Sequence, residues 1–328
     1  MGQENQTVED ASVVELVALA MKERGVRCRL LTTGEPVTFR PRHQIWREVP
    51  GQILSVKAGK DWSYAGTRYL SGELLSARTE VEKLGLVPLK LEHHGMWNPT
   101  DEYWGEPGEG IESCLKPVIE AGPRPLYEME QVIPGEDPEE MWDDPILEAS
   151  EYHGCEDSES AHKIMERILT MDLRCIDAHA HLGNWDFNRE SSYDDCAKRA
   201  LRHYEVGVRI GELSLGEQFG GVLKWGMIDN RPFLRCLHGY GLCLWRLGEV
   251  ARAKEVFQRM IWLNPTDNQG IRFLLASIDQ GKTWKDFQKG EEQPRRRRPR
   301  KLETGENRGL RHLRDAGIAR GQEMSPEG

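Results

Sequence analysis

Residues Leu234–Pro265, LRCLHGYGLCLWRLGEVARAKEVFQRMIWLNP, constrain this chain more than any other stretch. Leu237, Tyr240, Gly241, Leu244 and Leu247 recur at spacings of three and four, which puts them on one face of a helix. Gly241 lets a second backbone come close, and Gly248 suits a left-handed helix end. A second stripe follows in Ala253, Val256, Phe257, Met260 and Ile261. Asn264-Pro265 then stops it, because the residue before a proline is pushed out of the helical region. The stretch predicts two amphipathic helices joined by a tight turn.

That pattern resembles the tetratricopeptide repeat. Counted back from Pro265, Gly241, Ala253 and Phe257 match the family's small, small and aromatic packing positions. Leu244 stands where tyrosine is usual, and Met260 where alanine is. One such hairpin cannot bury its own apolar face, so neighbours are expected. Ile176–Phe187 and Asp194–Val208 read as another pair, with Leu182-Gly183 in the first helix and Ala197, Ala200 and Tyr204 in the second. Ser192 and Asp195 suit a cap at the start of that second helix. ILEASEYHG after Pro145 and Ser158–Leu169 read as an earlier pair. The starts at 176 and 234 lie 58 residues apart, about two dozen more than a 34-residue period requires. The excess, about 211–231, is glycine-rich and predicts a loop. Thr266 and Gln269 form a capping-box pattern ahead of a last helix, Gly270–Asp279.

Before the helices the period changes to two. Strands are expected at Val26–Leu31, Pro36–Phe39, Gln52–Val56, Arg68–Leu70 with Glu73–Leu75, and Leu86–Leu91, punctuated by Gly- and Pro-containing turns. Short strands so closely spaced predict a small, bent, barrel-like sheet. Ala11–Arg24 reads as a short amphipathic helix ended at Gly25; its apolar run Val13–Met21 is interrupted by Glu15 and lacks the basic start of a signal peptide. From Asp101 to Glu159 acidic residues outnumber basic ones by 19 to two, which marks a strongly negative connector. Its aromatics, Trp97, Tyr103, Trp104, Tyr127 and Trp142, argue that it packs against a domain. Beyond Lys282 the pattern is lost, and Arg295–Lys301 is a basic run in a disordered tail. The expected fold class is therefore α+β multidomain: an N-terminal helix (1–25), a β-rich module (26–92), an acidic connector (93–142), a tetratricopeptide-like helical array (143–281) and a tail (282–328).

Composition excludes several classes. A net charge of −10 argues against the whole molecule being a general nucleic-acid binder. Seven cysteines, an odd number with no C-x-x-C pair, argue against a disulfide framework or a zinc site and fit a reducing cytoplasm, with Cys236 and Cys243 as core residues. No apolar run is long enough to span a membrane. No phosphate loop, dinucleotide fingerprint or nucleophile elbow occurs. Asp177-Ala-His179-Ala-His181 resembles the metal-binding H-x-H step of amidohydrolases, which needs a strand. Here the context is helical, where residues two apart diverge by about 200°, and too little chain follows for the rest of a barrel. His93-His94 beside Glu92 is a weaker metal candidate.

The repeat resemblance implies a groove for peptides along the first helices. Its lining positions map to Asp177, Asn184, Phe187 and Asn188 in one hairpin, and to Arg235, His238, Leu242, Trp245 and Arg246 in the other. Asn184, Arg235 and Arg246 would bind a carboxylate or backbone amides, with Trp245 as apolar anchor. The alternative is that the insert or the acidic connector covers the groove, with the arginines holding the protein's own acidic segment. The order of segments, including VPGQILSVKAGKDWSYAG, GPRPLYEMEQVIPG and RCIDAHAHLGN, is also similar to a group of uncharacterised bacterial cytoplasmic proteins with such repeats. The expected function is a non-enzymatic adaptor binding a protein or peptide, with no cofactor and no metal. A second reading is a nucleic-acid-associated factor. It would use Trp46, Trp62, Tyr64 and Tyr69 among Arg40, Arg42, Arg47, Lys57, Lys60 and Arg68, together with the basic tail. A metal-dependent hydrolase through His179 and His181 is a remote third.

Overall fold

Val13–Lys22 carries apolar side chains on both faces, and the chain uses both. In this computed structural model, which describes residues 12–22, 24–43, 48–104, 110–136, 144–188 and 193–292, that segment is a strand, β1, and not the expected helix. Leu16 and Ala18 point into one core, while Val17 joins a second, larger one. A short apolar run buried on two sides has no period that separates strand from helix.

β1 pairs antiparallel with β2 (Gly25–Leu30) on one edge and with β4 (Ile53–Tyr64) on the other. β3 (Pro36–Pro41) pairs with β2 and lies parallel to β5 (Thr67–Arg78), which forms a long hairpin with β4. The order β1-β2-β3-β5-β4 thus closes back on β1. Inside are Leu16, Val26, Cys28, Val37, Phe39, Leu54, Val56 and Leu70. The strand expected from Leu86 starts late: residues 86–90 are irregular, and the next strand, β6, begins at Leu91 and runs to Trp97.

The described part of the acidic stretch forms regular structure. It contains helix α1 (Lys116–Glu120) and strand β7 (Arg124–Met129), which pairs with β6. β7 is bridged on its other side by the insert, Leu126 opposite Val222, and Leu223 N–H donates to Leu263 C=O at 2.7 Å. Arg124 is buried between Trp97 and Trp262 and donates to the Trp262 carbonyl at 2.8 Å. Lys224 pairs with Glu102 at 2.6 Å.

The helices follow as α2 (Pro145–Gly154), α3 (Ser158–Met171), α4 (Ile176–Phe187), α5 (Tyr193–Leu215), α6 (Arg231–Arg246), α7 (Val250–Leu263), α8 (Ile271–Asp279) and α9 (Trp284–Glu292). α2 packs on α3, and α3 on β1. α4 packs on α5, and α6 contacts α4, α5 and α7; α8 lies on α7. The architecture is an N-terminal five-stranded sheet followed by a helical region. No helix among the described residues is long and apolar enough to cross a membrane.

Small residues on one helix receive rings from the next. Gly241 faces the ring of Phe257, so the close approach there is aromatic rather than backbone. A side-chain carbon on Gly183 would sit 2.7 Å from the Tyr204 ring, and that same ring covers Gly239 of α6. Three expectations change in this region. α5 runs on past Gly211 to Leu215, into the supposed loop. α8 is capped by Asp267, whose carboxylate accepts from Ile271 N–H at 2.6 Å, not by the Thr266/Gln269 pair. The chain stays helical past Lys282, because Trp284 and Phe287 of α9 cover Trp245. Trp46, Arg47, Trp142, Ser192 and the run 295–301 lie outside the described residues.

Candidate functional site

On α4, positions 177, 180, 181 and 184 form one stripe; on α6, positions 235, 238, 239 and 242 form its counterpart. These stripes face each other across a cavity of about 500 Å³. His181 and Asn184 line it from α4, Arg235, His238 and Leu242 from α6, and Tyr204 lies between them with Gly239. Trp225 of the insert and Gln269, just before α8, complete the wall.

Charge in the cavity is held in place. Arg235 donates to Asp177 at 2.9 Å, and Asp177 is 6% exposed. The Asp177 carboxylate also lies 3.8 Å from His181 Nε2. Burial lowers the His181 pKa from its ordinary value; Asp177 opposes that shift and Arg235 adds to it. Burial also pushes His238 down to about 4, so its imidazole is neutral at pH 7. Gln269 Nε2 donates to the Leu234 carbonyl at 3.3 Å and lies 3.4 Å from His238 Nδ1. Trp225 is fixed by Arg231, which stacks over its ring at 5.4 Å and donates to its carbonyl at 3.0 Å. The result is a fixed set of polar groups around an apolar wedge of Trp225, Leu242 and Tyr204.

A second cavity, about 610 Å³, opens between α3 and α4 and shares Asn184 with the first. Asn188 lines it and donates to the Asn184 carbonyl at 3.0 Å. Trp185 stacks on His153 at 4.4 Å there. Burial raises Glu166 to about 7, against the pull of Arg199, which itself sits 3.0 Å from the Asp186 carboxylate.

The structure therefore brings together only part of the expected groove. Asn184, Arg235, His238 and Leu242 line one cavity, with Asp177 behind Arg235. Asn188 belongs to the other. Phe187 lies under Arg246, which stacks on its ring at 4.8 Å and donates to its carbonyl at 2.9 Å. Trp245 is 1% exposed, with its indole N–H on the Lys282 carbonyl at 3.2 Å, so it is a core residue and not an anchor for a ligand. Its stripe on α6 is the predicted one; α9 covers that end. Arg235 and Arg246 take their partners from α4, not from any described residue of the acidic connector. His181, Trp225 and Gln269 were not among the expected lining residues. His181 shares the Asp177–Asn184 stripe and was legible there, whereas Trp225 sits in a stretch without periodicity.

Comparison with protein-family models, curated proteins and solved structures gives no significant match. The site rests on its own geometry.

The two histidines of the H-x-H step separate on α4. His179 is fully buried, its Nδ1 3.4 Å from His203 Nδ1, and burial pushes its pKa down to about 3. His181 faces the first cavity. His93 packs edge-on to Tyr127 at 5.3 Å, and His94 Nε2 lies 3.6 Å from Glu128. Among the described residues no group of three or more His, Cys, Asp or Glu is placed to hold a metal.

Proposed function

We propose that α4–α8 form a tetratricopeptide-like array attached to a small β-barrel, and that the chain is a non-enzymatic adaptor that binds an extended peptide between α4 and α6. One observation carries this reading: equivalent stripes of two successive hairpins converge on a cavity of about 500 Å³ whose polar groups are held in place by their own partners. The shared small-residue-to-ring contacts, Gly183 to Tyr204 and Gly241 to Phe257, support the repeat reading. Asn184, His181, His238 and Gln269 offer hydrogen bonds to a peptide backbone, and Trp225 with Leu242 offers a seat for one apolar side chain. Arg235 favours a peptide that carries a carboxylate near that side chain. Burial raises the thiol pKa of Cys28, Cys175, Cys236 and Cys243, which supports structural roles for these four in a reducing cytoplasm.

The test is a peptide array that varies an apolar residue next to an acidic one, followed by calorimetry on the best sequence. Leu242→Lys and Asn184→Ala are expected to weaken binding tenfold or more, and Lys163→Ala, in the second cavity, to leave it unchanged. Binding that survives Leu242→Lys in a folded protein would place the peptide elsewhere.

A further inference from the structure

The solvent face of the five-stranded sheet has a composition unlike the rest of this acidic chain. Register places Arg27 of β2 beside Thr38 of β3, Thr38 beside Tyr69 of β5, and Tyr69 beside Trp62 of β4. The four residues form one row across four strands, on the face opposite Val26, Phe39 and Leu70 of the interior. Adjacent strands lie about 4.8 Å apart, so the row is roughly 14 Å long. Trp62 and Tyr69 stack at 5.4 Å with 14° between their planes. Arg40 sits over the Tyr69 ring at 5.4 Å and Lys60 over the Trp62 ring at 5.8 Å.

A cross-strand aromatic pair stabilises a hairpin by itself. What it does not require is a cation on each ring and a third at the end of the row. Among the described residues of this face, Glu73 stands opposite Lys57 in the register. Glu35 and Asp61 are held by Arg68 at 2.9 and 2.8 Å, and Arg68 and Asp61 lie on the alternate side of their strands, where Asp61 pairs with Leu70. Arg27, Arg40, Arg42 and Lys60 remain as excess positive charge, within a chain of net charge −10. Half-buried rings flanked by cations suit planar bases joined by a charged backbone: each base has a face to stack, and each phosphate needs a counter-charge.

We propose that this face, with Trp62 and Tyr69 as stacking platform and Arg27, Arg40 and Lys60 as phosphate contacts, binds single-stranded nucleic acid. The site is separate from the peptide cavity and independent of it. Duplex bases are already stacked on each other, so duplex is the poorer ligand.

The experiment uses the full chain and fluorescently labelled oligo(dT) and oligo(rU) of about 12 nucleotides, within the range one such module occupies. Fluorescence anisotropy is read across a salt series, with a duplex of equal length as comparison. Saturable binding is expected for at least one single strand, with Trp62→Ala and Tyr69→Ala each weakening it between about fivefold and a hundredfold. Trp62→Phe, which keeps a ring, should stay within a few-fold of the native protein. Lys60→Gln should lower the slope of log affinity against log salt by about 0.7. Circular dichroism and thermal midpoints establish that each variant is folded; should Trp62→Ala unfold, Lys60→Gln and Arg40→Gln carry the test. Preference between the DNA and RNA strands assigns the role of the 2′-hydroxyl and supports the site either way. The proposal is overturned by absence of saturable binding at about 50 mM salt, by equal affinity for duplex, or by folded aromatic variants that bind like the native protein. It is also overturned if neutralising the arginines of 295–301 removes all binding.

Discussion

The Arg235 guanidinium on α6 reaches the Asp177 carboxylate on α4 at 2.9 Å, so two successive hairpins are clasped at the mouth of the cavity between them. The pair also sets what the cavity attracts. Asp177 is nearly buried, whereas Arg235 keeps 41% of its side chain exposed. Asp177→Asn is expected to cost about 1–3 kcal/mol, below the range for a fully buried pair because Arg235 can turn to water. The same change leaves the cavity more positive. A carboxylate-bearing peptide should then bind several-fold more tightly, and Arg235→Gln should reverse the gain. Urea unfolding and calorimetry measure the two effects separately.

Tyr204 serves two helices at once, its ring covering Gly183 of α4 and Gly239 of α6. Alanine at Gly239 gains helix propensity but drives a methyl into that ring. A net loss of about 1–3 kcal/mol is expected. Combining it with Tyr204→Leu should cost less than the sum of the single changes, because the shortened side chain vacates the space the methyl needs. A double-mutant cycle by denaturant titration reads this coupling.

Trp245 lies under Trp284 and Phe287. Trp245→Ala is expected to destabilise the protein by about 3–5 kcal/mol, the usual cost of emptying a large aromatic site. It should also expose α9 to proteolysis. A partner lost on this substitution would therefore report unfolding, and a thermal melt run beside the binding assay distinguishes the two.

Stability should fall on acidification, and the sign follows from the buried imidazoles. His179 is pushed down to about 3 and His238 to about 4 by burial; His203, beside His179 with Asp186 3.8 Å from its Nε2, is also held low. An unfolded histidine titrates near 6.5, so below that pH the unfolded chain takes up protons that the folded one refuses. For His179 alone the loss at pH 5 is about 2 kcal/mol. Glu166, raised to about 7 in the fold, works in the opposite direction between the ordinary carboxylate range and pH 7. Glu166→Gln is therefore expected to steepen the loss between pH 7 and pH 5. Urea midpoints across that range measure it.

Much of the helical region was legible because α3, α7 and α8 each bury one stripe and wet the other side, and α4, with nine of its twelve residues buried, lies between such neighbours in the sequence. α4 was expected at Ile176–Phe187 and is found there. β1 was misread for the opposite reason: with Leu16 on one core and Val17 on another it has no wet face to set a period. β7 and Trp225 were missed because their order comes from distant partners. PRPLYEM becomes a strand only with β6 on one side and Val222 on the other. Trp245 shows the limit most clearly. Positions 235, 238, 242 and 245 do share a stripe of α6, but periodicity names a face without naming what later folds over it. Here Trp284, 39 residues on, takes the end of that face.

The bridge between Leu126 and Val222 has a consequence for how the molecule comes apart. A stack of helical hairpins ordinarily unravels from its ends, one unit at a time, since each unit touches only its neighbours. In this chain the 96-residue span between those two positions encloses α2 to α5, and the bonds from Arg124 to Trp262 and from Leu223 to Leu263 fasten the same clasp to the end of α7. The hairpins are thus threaded on a closed circuit. Hydrogen exchange should find α4 and α7 opening together, as one cooperative unit, instead of a gradient of protection falling toward either end.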